Sequence, residues 1–280
     1  MKKSTRLFAL LAALALVVAA CGDDSGGGGS DGTTADGLPD LDGRTVTVGV
    51  ENAYLPFNYI PLGGTEGEGW DYDAWTEICN ILNCVPEFVE AGWPAVIDQV
   101  AADEIDTAAD GISITDERKE IVDYSDAYMT VTQKFIKQSG DDRFSSKDDV
   151  VNSDAIVATQ VGTTNYELAA ELVGEARIQA FDLFALAIQA LIAGDVDVVI
   201  IDDAAGLGYI GESADQIETV DDPLQSDPLG FIFPQGSDLV GPVNFAIQEL
   251  KDNGRFEALG RLYFGPGFEI TYDDIEEVEG

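Results

Sequence analysis

Residues 155–201 read AIVATQVGTTNYELAAELVGEARIQAFDLFALAIQALIAGDVDVVII. Three short apolar runs, at 155–159, 178–181 and 196–201, alternate with two stretches, 166–172 and 183–193, whose apolar residues recur at helical spacing. Short continuous apolar runs suit strands buried on both faces, and intervening helices would supply the cover. The stretch therefore reads as α/β. The same alternation extends outward. A strand is expected at 45–50, then a helix at 71–83 with Tyr72, Trp75, Ile78, Cys79 and Leu82 on one face, a strand at 85–90 and a helix at 93–102. Towards the C-terminus Val243, Ile247 and Leu250 share a helical face, and Asp252-Asn253-Gly254 breaks into a last helix. Residues 269–280 are acidic and poorly patterned, and are expected to be a frayed tail.

The patterned body, 44–268, is large for one core and suits two lobes. Two extended segments without helical patterning, 129–137 and 228–234, read as crossovers forming a hinge, with two ordinary strands as the alternative. The expected division is lobe 1 at 44–132 and 230–268 and lobe 2 at 133–229, with the acidic tail at 269–280.

Residues 1–20 have the pattern of an export signal: Lys2, Lys3 and Arg6, then an apolar run from Leu7 to Ala20 that is short for a permanent span. The run closes on Val18-Ala19-Ala20-Cys21, which resembles a bacterial lipoprotein processing site and implies lipidation of Cys21. Residues 21–43, rich in Gly, Ser and Asp, read as a flexible tether. A lipid, a tether and a folded body suggest a protein held at the outer face of a cell membrane. No second run reaches transmembrane length, so the body is expected to be soluble. Cys79 and Cys84 remain as an even pair in an oxidising compartment, flanking the end of a helix pattern, and a local disulfide is expected. With no histidine and two spare cysteines, no metal site and no cofactor is expected.

Without Lys2, Lys3 and Arg6, 11 basic residues face 53 acidic ones, a formal charge of −42. That balance argues against nucleic acid and anionic lipid surfaces as partners, since both need basic patches. It suits either an ordinary acidic extracellular protein or one adapted to salt.

The richest local motif is 110–128, Asp-Gly-Ile-Ser-Ile-Thr-Asp-Glu-Arg-Lys-Glu-Ile-Val-Asp-Tyr-Ser-Asp-Ala-Tyr. It places Gly111, Ser113 and Arg118 around what reads as the start of a helix. Orphan N–H groups of a first helical turn, a hydroxyl and a guanidinium together can hold a small carboxylate. A capped surface helix with an exposed arginine is the plainer reading, and this stretch alone leaves both open.

Five motifs in order carry a wider resemblance: Val48-Gly49-Val50-Glu51 through Tyr54-Leu55-Pro56-Phe57; Gly69-Trp70-Asp71-Tyr72-Asp73; Gly111 to Arg118 with Asp123-Tyr124-Ser125; Gln160-Val161-Gly162-Thr163-Thr164; and Asp197-Val198-Val199-Ile200-Ile201-Asp202. The closing Asn253-Gly254-Arg255-Phe256 to Tyr263-Phe264-Gly265 agrees. Almost end to end, the body resembles the extracytoplasmic solute-binding proteins of polar-amino-acid ABC transporters. The resemblance implies two Rossmann-like α/β lobes joined by two crossovers and closing on a ligand in the cleft, a permease in the membrane as partner, and a monomer. It implies that Arg118, Ser113, Thr163 and Thr164 hold the ligand carboxylate, and that Asp202 and the Gly111 carbonyl hold its ammonium. For the ligand side chain it implies Glu51, Tyr54 and Trp93. Asp110 stands where many relatives carry a small or apolar residue, beside the ligand or merely facing solvent. Trp70 replaces a usual phenylalanine and reads as core or pocket. An acid between two aromatic faces suits a guanidinium or ammonium, so a basic amino acid is favoured, with glutamine or another polar amino acid open.

Other readings are weaker. Gly206-Leu207-Gly208-Tyr209-Ile210-Gly211 fits a dinucleotide fingerprint, but too few residues follow for the required helix before the next strand. The run 63–69 has no lysine and reads as a loop. A dehydratase-like enzyme on the same scaffold would need carboxylate or lysine chemistry, and none of Lys119, Lys134, Lys137, Lys147 and Lys251 falls in a pocket motif. A binder of zwitterionic compatible solutes is a further alternative.

Overall fold

The computed structural model describes residues 38–212 and 215–276. The expected signal at 1–20, Cys21, the tether up to residue 37 and residues 277–280 lie outside the described residues. In chain order come β1 (Arg44–Val50), β2 (Ala53–Tyr54), β3 (Asn58–Tyr59), α1 (Trp70–Leu82), β4 (Cys84–Glu90), α2 (Ala95–Ala101), β5 (Thr107–Ala108) and β6 (Val122–Tyr124). β7 (Met129–Gln138), α3 (Lys147–Val151), β8 (Val157–Gln160), α4 (Thr164–Val173), β9 (Ile178–Phe181), α5 (Phe184–Ala193), β10 (Val198–Asp202), α6 (Asp203–Glu212), β11 (Ile217–Thr219) and β12 (Ser226–Leu229) follow. β13 (Ile232–Pro234), α7 (Val240–Asp252) and α8 (Arg255–Tyr263) complete the regular elements.

Two sheets result. The first has strand order β4-β1-β5-β13-β6, the second β11-β7-β10-β8-β9 with β12 on the free part of β7. β1 runs parallel to β4 and β5, and β8 runs parallel to β9 and β10. β10 explains why an unbroken Val-Val-Ile-Ile run is a strand. Val198 and Ile200 pack with Val150, Leu168 and Ala169, while Val199 and Ile201 turn to the face holding Ala187, Ile188 and Leu191. Helices cover both faces, so Val198 to Ile201 are all apolar, and only the last residue, Asp202, is polar.

The two extended segments are strands, and they also carry the chain between the sheets. Met129–Thr132 pair antiparallel with Ser226–Leu229, whereas Gln133–Gln138 pair with β10 and β11. β6 before this ladder and β13 after it belong to the first sheet.

Cys79 in the last turn of α1 and Cys84 at the start of β4 form the expected disulfide. Between them Asn83 ends the helix in the left-handed conformation at φ 53°. Trp70 is core, fully buried and stacked near Tyr128, Phe231 and Phe256.

Three expectations are corrected. The stretch 110–128 contains no full helix: Arg118–Glu120 is a single 3-10 turn, because Val122–Tyr124 must extend to pair with β13. Part of the expected tether is anchored, since Leu41 N–H donates to Leu82 O at 2.7 Å and Asn83 Nδ2 to Asp40 at 2.8 Å. The segment 269–276 is packed rather than frayed. Its Tyr272 and Ile275 interrupt the acidic run; Ile275 buries against Leu55 and Tyr59, Leu55 N–H donates to the Tyr272 hydroxyl at 3.1 Å, and Tyr272 stacks on Tyr209 of α6.

Candidate ligand-binding site

β1, β5, β8 and β10 all end at the same cleft, and the residues immediately beyond them build its walls. Ligands of open α/β sheets gather at the carboxyl ends of the strands, where backbone polar groups and helix starts converge. From the side of the first sheet come Glu51 after β1, Tyr54 in the β2–β3 ribbon, Trp93 before α2, Asp110, Gly111 and Ser113 after β5, and Arg118 on the 3-10 turn. From the second come Thr163 and Thr164 at the start of α4 and Asp202 at the end of β10. All these residues line one cavity.

Polar contacts cross this cavity from one sheet's elements to the other's. The Tyr54 hydroxyl donates to Asp202 at 2.7 Å, and Ser113 and Thr164 hydroxyls lie 3.2 Å apart. Trp93 Nε1 donates to Val161 O at 3.1 Å, and Gln160 Nε2 to Glu51 at 2.9 Å. Arg118 donates to Ser113 O at 3.1 Å and, across the cleft, to Gly162 O at 3.2 Å, with its guanidinium 5.1 Å from the Trp93 ring centroid. The two carbonyl bonds occupy part of a five-donor fork, and the rest of the fork suits an anion.

Local backbone explains these positions. Thr163 caps α4: its hydroxyl accepts from Tyr166 N–H at 3.1 Å and donates to Gln160 O at 2.8 Å. The first N–H groups of α4 then have no intrahelical acceptor and carry partial positive charge. Gly111 sits at φ 57°, and a Cβ there would lie 2.6 Å from Tyr54 Cε1, so only glycine fits.

The acids are the unusual feature. Glu51 and Asp110 are each 5 % exposed and Asp202 is 4 % exposed. Burial pushes the Glu51 carboxyl up to about 8, helped by the charge of Asp110. Burial likewise raises Asp110 to about 7, against hydrogen bonds from Asn58 and the Glu51 N–H. Asp202 rises to about 6 through burial, opposed by the Tyr54 and Asn165 hydrogen bonds. Asn58 also bonds a third acid, the fully buried Asp71, at 2.9 Å. Among the described residues no group of three or more His, Cys, Asp and Glu could hold a metal. No described helix is long and apolar enough to cross a membrane.

Gln160, Asn165 and Phe184 also line the cavity and escaped the residue-level reading. Gln160 lay inside a quoted motif, and Asn165 follows a recognisable N-cap, so each carried a local signal. Phe184, the first residue of an apolar helix, looks like any core residue.

This geometry has close counterparts. A family model described as bacterial extracellular solute-binding proteins, family 3, matches residues 46–266. The chain belongs to that family. The L-cystine-binding protein TcyA of Bacillus subtilis (strain 168) is 27 % identical over 264 residues, 91 % of this chain and 97 % of that protein. The arginine-, lysine-, histidine-binding protein ArtJ of Geobacillus stearothermophilus superposes with a TM-score of 0.74 at 29 % identity, over 79 % of this chain and 96 % of that one. The ancestral amino acid-binding protein AncCDT-1, described as a precursor of cyclohexadienyl dehydratase, superposes at 0.73 with 31 % identity, over 79 % and 95 %. Family membership makes this chain a two-lobed solute-binding protein.

Proposed function

We propose that this solute-binding protein captures a basic amino acid (arginine, lysine or ornithine) by lobe closure and delivers it to an ABC permease. The observation that carries the reading is the pair of buried acids, Glu51 and Asp110, in the wall of a cavity that also presents Arg118. A zwitterion with a cationic side chain has one anionic and two cationic groups. Arg118, Ser113, Thr163 and Thr164 take the carboxylate; Asp202 and the Gly111 carbonyl take the α-ammonium; Glu51, Asp110, Tyr54 and Trp93 take the side chain. Because donors to the carboxylate come from both sheets, bound ligand favours the closed arrangement. Pairing of each charge offsets its desolvation. The arginine-, lysine-, histidine-binding relative supports this choice of ligand class.

The lobes divide at 44–132 with 230–268 and at 133–229, a reading supported by the distribution of strands between the two sheets. We assign Cys21 as the lipidated residue after a cleaved signal, placing a monomeric protein on the outer face of the membrane. The cavity residues bind rather than catalyse: Asp202, bonded to Tyr54 and Asn165, faces an ammonium.

Thermal unfolding against a panel of amino acids tests the reading. A ligand at about 100 times its Kd adds roughly 2.7 kcal/mol, a rise of about 5–10 °C for a chain of this size. Shifts with arginine, lysine or ornithine are expected. A shift only with glutamine, cystine or a compatible solute refutes the side-chain assignment, and turnover of a cyclohexadienyl acid refutes the binding role.

A further inference from the structure

Resting on the basic-ligand reading, we propose that at least one of Glu51 and Asp110 is protonated when no cation occupies the cavity, and that the entering cationic side chain expels the proton. Uptake is then an exchange of a cation for a proton at one seat.

The geometry makes it hard for both acids to be charged at once. Glu51 follows β1 directly, and its own N–H donates to Asp110, so the two residues are tied together by the backbone. The partners of their carboxyls are neutral: Gln160 Nε2 and the Trp93 N–H for Glu51, Asn58 Nδ2 at 2.8 Å for Asp110. Asn58 links the pair to Asp71 of α1, a third acid rather than a counterion. The remaining titratable neighbours are Tyr54 of β2, Tyr128 before β7, and Asp202 across the cavity. The cation in the wall, Arg118, points its N–H groups at the Ser113 and Gly162 carbonyls and makes no ion pair with either acid.

Like charges in a desolvated site cannot both ionise cheaply, so such a pair titrates as a unit with its protons held upward in pH. Burial and mutual repulsion hold Glu51 at about 8 and burial holds Asp110 at about 7, so the empty pair retains a proton at neutral pH. A guanidinium or ammonium seated between the carboxyls reverses that balance. The acid proton leaves to water, both carboxylates are then charged, and one positive charge faces them. Since the ligand prefers the deprotonated pair, affinity rises with pH through the range in which the pair titrates and levels off above it. Release of one proton changes Kd by up to tenfold per pH unit, and the change steepens at lower pH where the second acid is protonated as well.

The test is calorimetric titration of the protein with L-arginine and with L-citrulline, its neutral ureido counterpart, at pH 7 in phosphate and in Tris. Those buffers differ in ionisation enthalpy, so released protons appear as a buffer-dependent heat. Both ligands carry the same α-ammonium and α-carboxylate, so any proton given up by Asp202 appears with both. Only the excess for arginine belongs to the pair. Expected are an excess release of about one proton per arginine and a Kd that weakens by about tenfold or more from pH 7 to pH 6. In Asp110→Asn the repulsion is gone but burial still holds the Glu51 carboxyl up, so the excess release should fall without vanishing, and affinity falls too. Arginine binding with buffer-independent heat and a flat Kd between pH 6 and 8 overturns the exchange and leaves the basic-ligand reading intact. Undiminished release in Asp110→Asn overturns the pair. If a neutral amino acid binds and no basic one does, the ligand reading itself has failed.

Discussion

Replacing Arg118 by alanine should abolish most binding while leaving the fold nearly untouched, and both halves of that statement can be worked from the geometry. The guanidinium offers five N–H donors, of which the structure commits two to the carbonyls of Ser113 and Gly162. The Tyr124 hydroxyl also bonds the guanidinium, and the donors left suffice for a bidentate bond to a carboxylate. Charge-assisted hydrogen bonds contribute about 1.5–3 kcal/mol each, and two sharing one guanidinium do not add fully, so a net loss of about 3–4 kcal/mol is expected. That corresponds to a Kd weaker by a factor of roughly 150–700. Arg118→Lys keeps the charge but loses the fork and much of the contact with the Trp93 ring, and should fall between, at about 10–50-fold. Stability changes little because Arg118 is only half buried and makes no ion pair; two carbonyl bonds at about 0.5–1.5 kcal/mol each imply a Tm lower by a few degrees. The assay is calorimetry with L-arginine and with L-argininamide, whose carboxylate is masked, alongside the Tm of each variant. The wild type should discriminate strongly between acid and amide, and Arg118→Ala should not. A Kd for arginine within threefold of wild type, or discrimination against the amide that survives the substitution, refutes the carboxylate assignment.

Reduction of Cys79–Cys84 opens a six-residue loop, for which chain entropy gives about 2 kcal/mol, so scanning calorimetry with a phosphine reductant should show a Tm lower by about 4–8 °C and an unchanged Kd. Gly111→Ala forces a left-handed alanine against Tyr54; a cost of about 1–3 kcal/mol and at least tenfold weaker binding are expected, and an unaltered titration curve would contradict the close packing. Tyr272→Ala removes a ring stacked on Tyr209 and an acceptor for the Leu55 N–H, so both Tm and affinity should fall; a change in Tm alone would separate the C-terminal segment from closure. The raised carboxyls of Glu51, Asp110 and Asp202 set a sign for pH. A folded-state value above the unfolded one stabilises at low pH, and that stability is lost as pH rises through about 6, 7 and 8. Ligand-free protein should therefore lose Tm between pH 5 and 8.5, by less in Asp110→Asn; equal slopes in the two proteins would show that the cavity acids are not the source.

What could be read from the chain and what could not divide along a physical line. Val198 to Ile201, the α1 face of Trp75, Ile78 and Leu82, and the Thr163 cap announce themselves because each obeys a period or a local bonding rule. Arg118, Ser113 and Asp202 could be singled out because the ligand contacts proposed for them need their residue type. The helix expected at Arg118 failed for the opposite reason: local signals for a helix start were overruled by the pairing of Val122–Tyr124 with β13, a partner more than a hundred residues away. The C-terminal segment failed likewise, since Ile275 is only recognisable as core once Leu55 and Tyr59 are beside it. Asp110 is the instructive case. By composition it is one acid among 53, in a chain where an exposed aspartate is the natural expectation. Its placement differs: 5 % exposed, bonded to an amide and a main-chain N–H, beside a second buried acid and near a third. A buried carboxylate without a counterion is costly, and its two hydrogen bonds, from Asn58 and the Glu51 N–H, offset only part of that cost. An acid kept at such a place, in the wall of a cavity and without a cation of its own, is accounted for by a positive charge that arrives from outside.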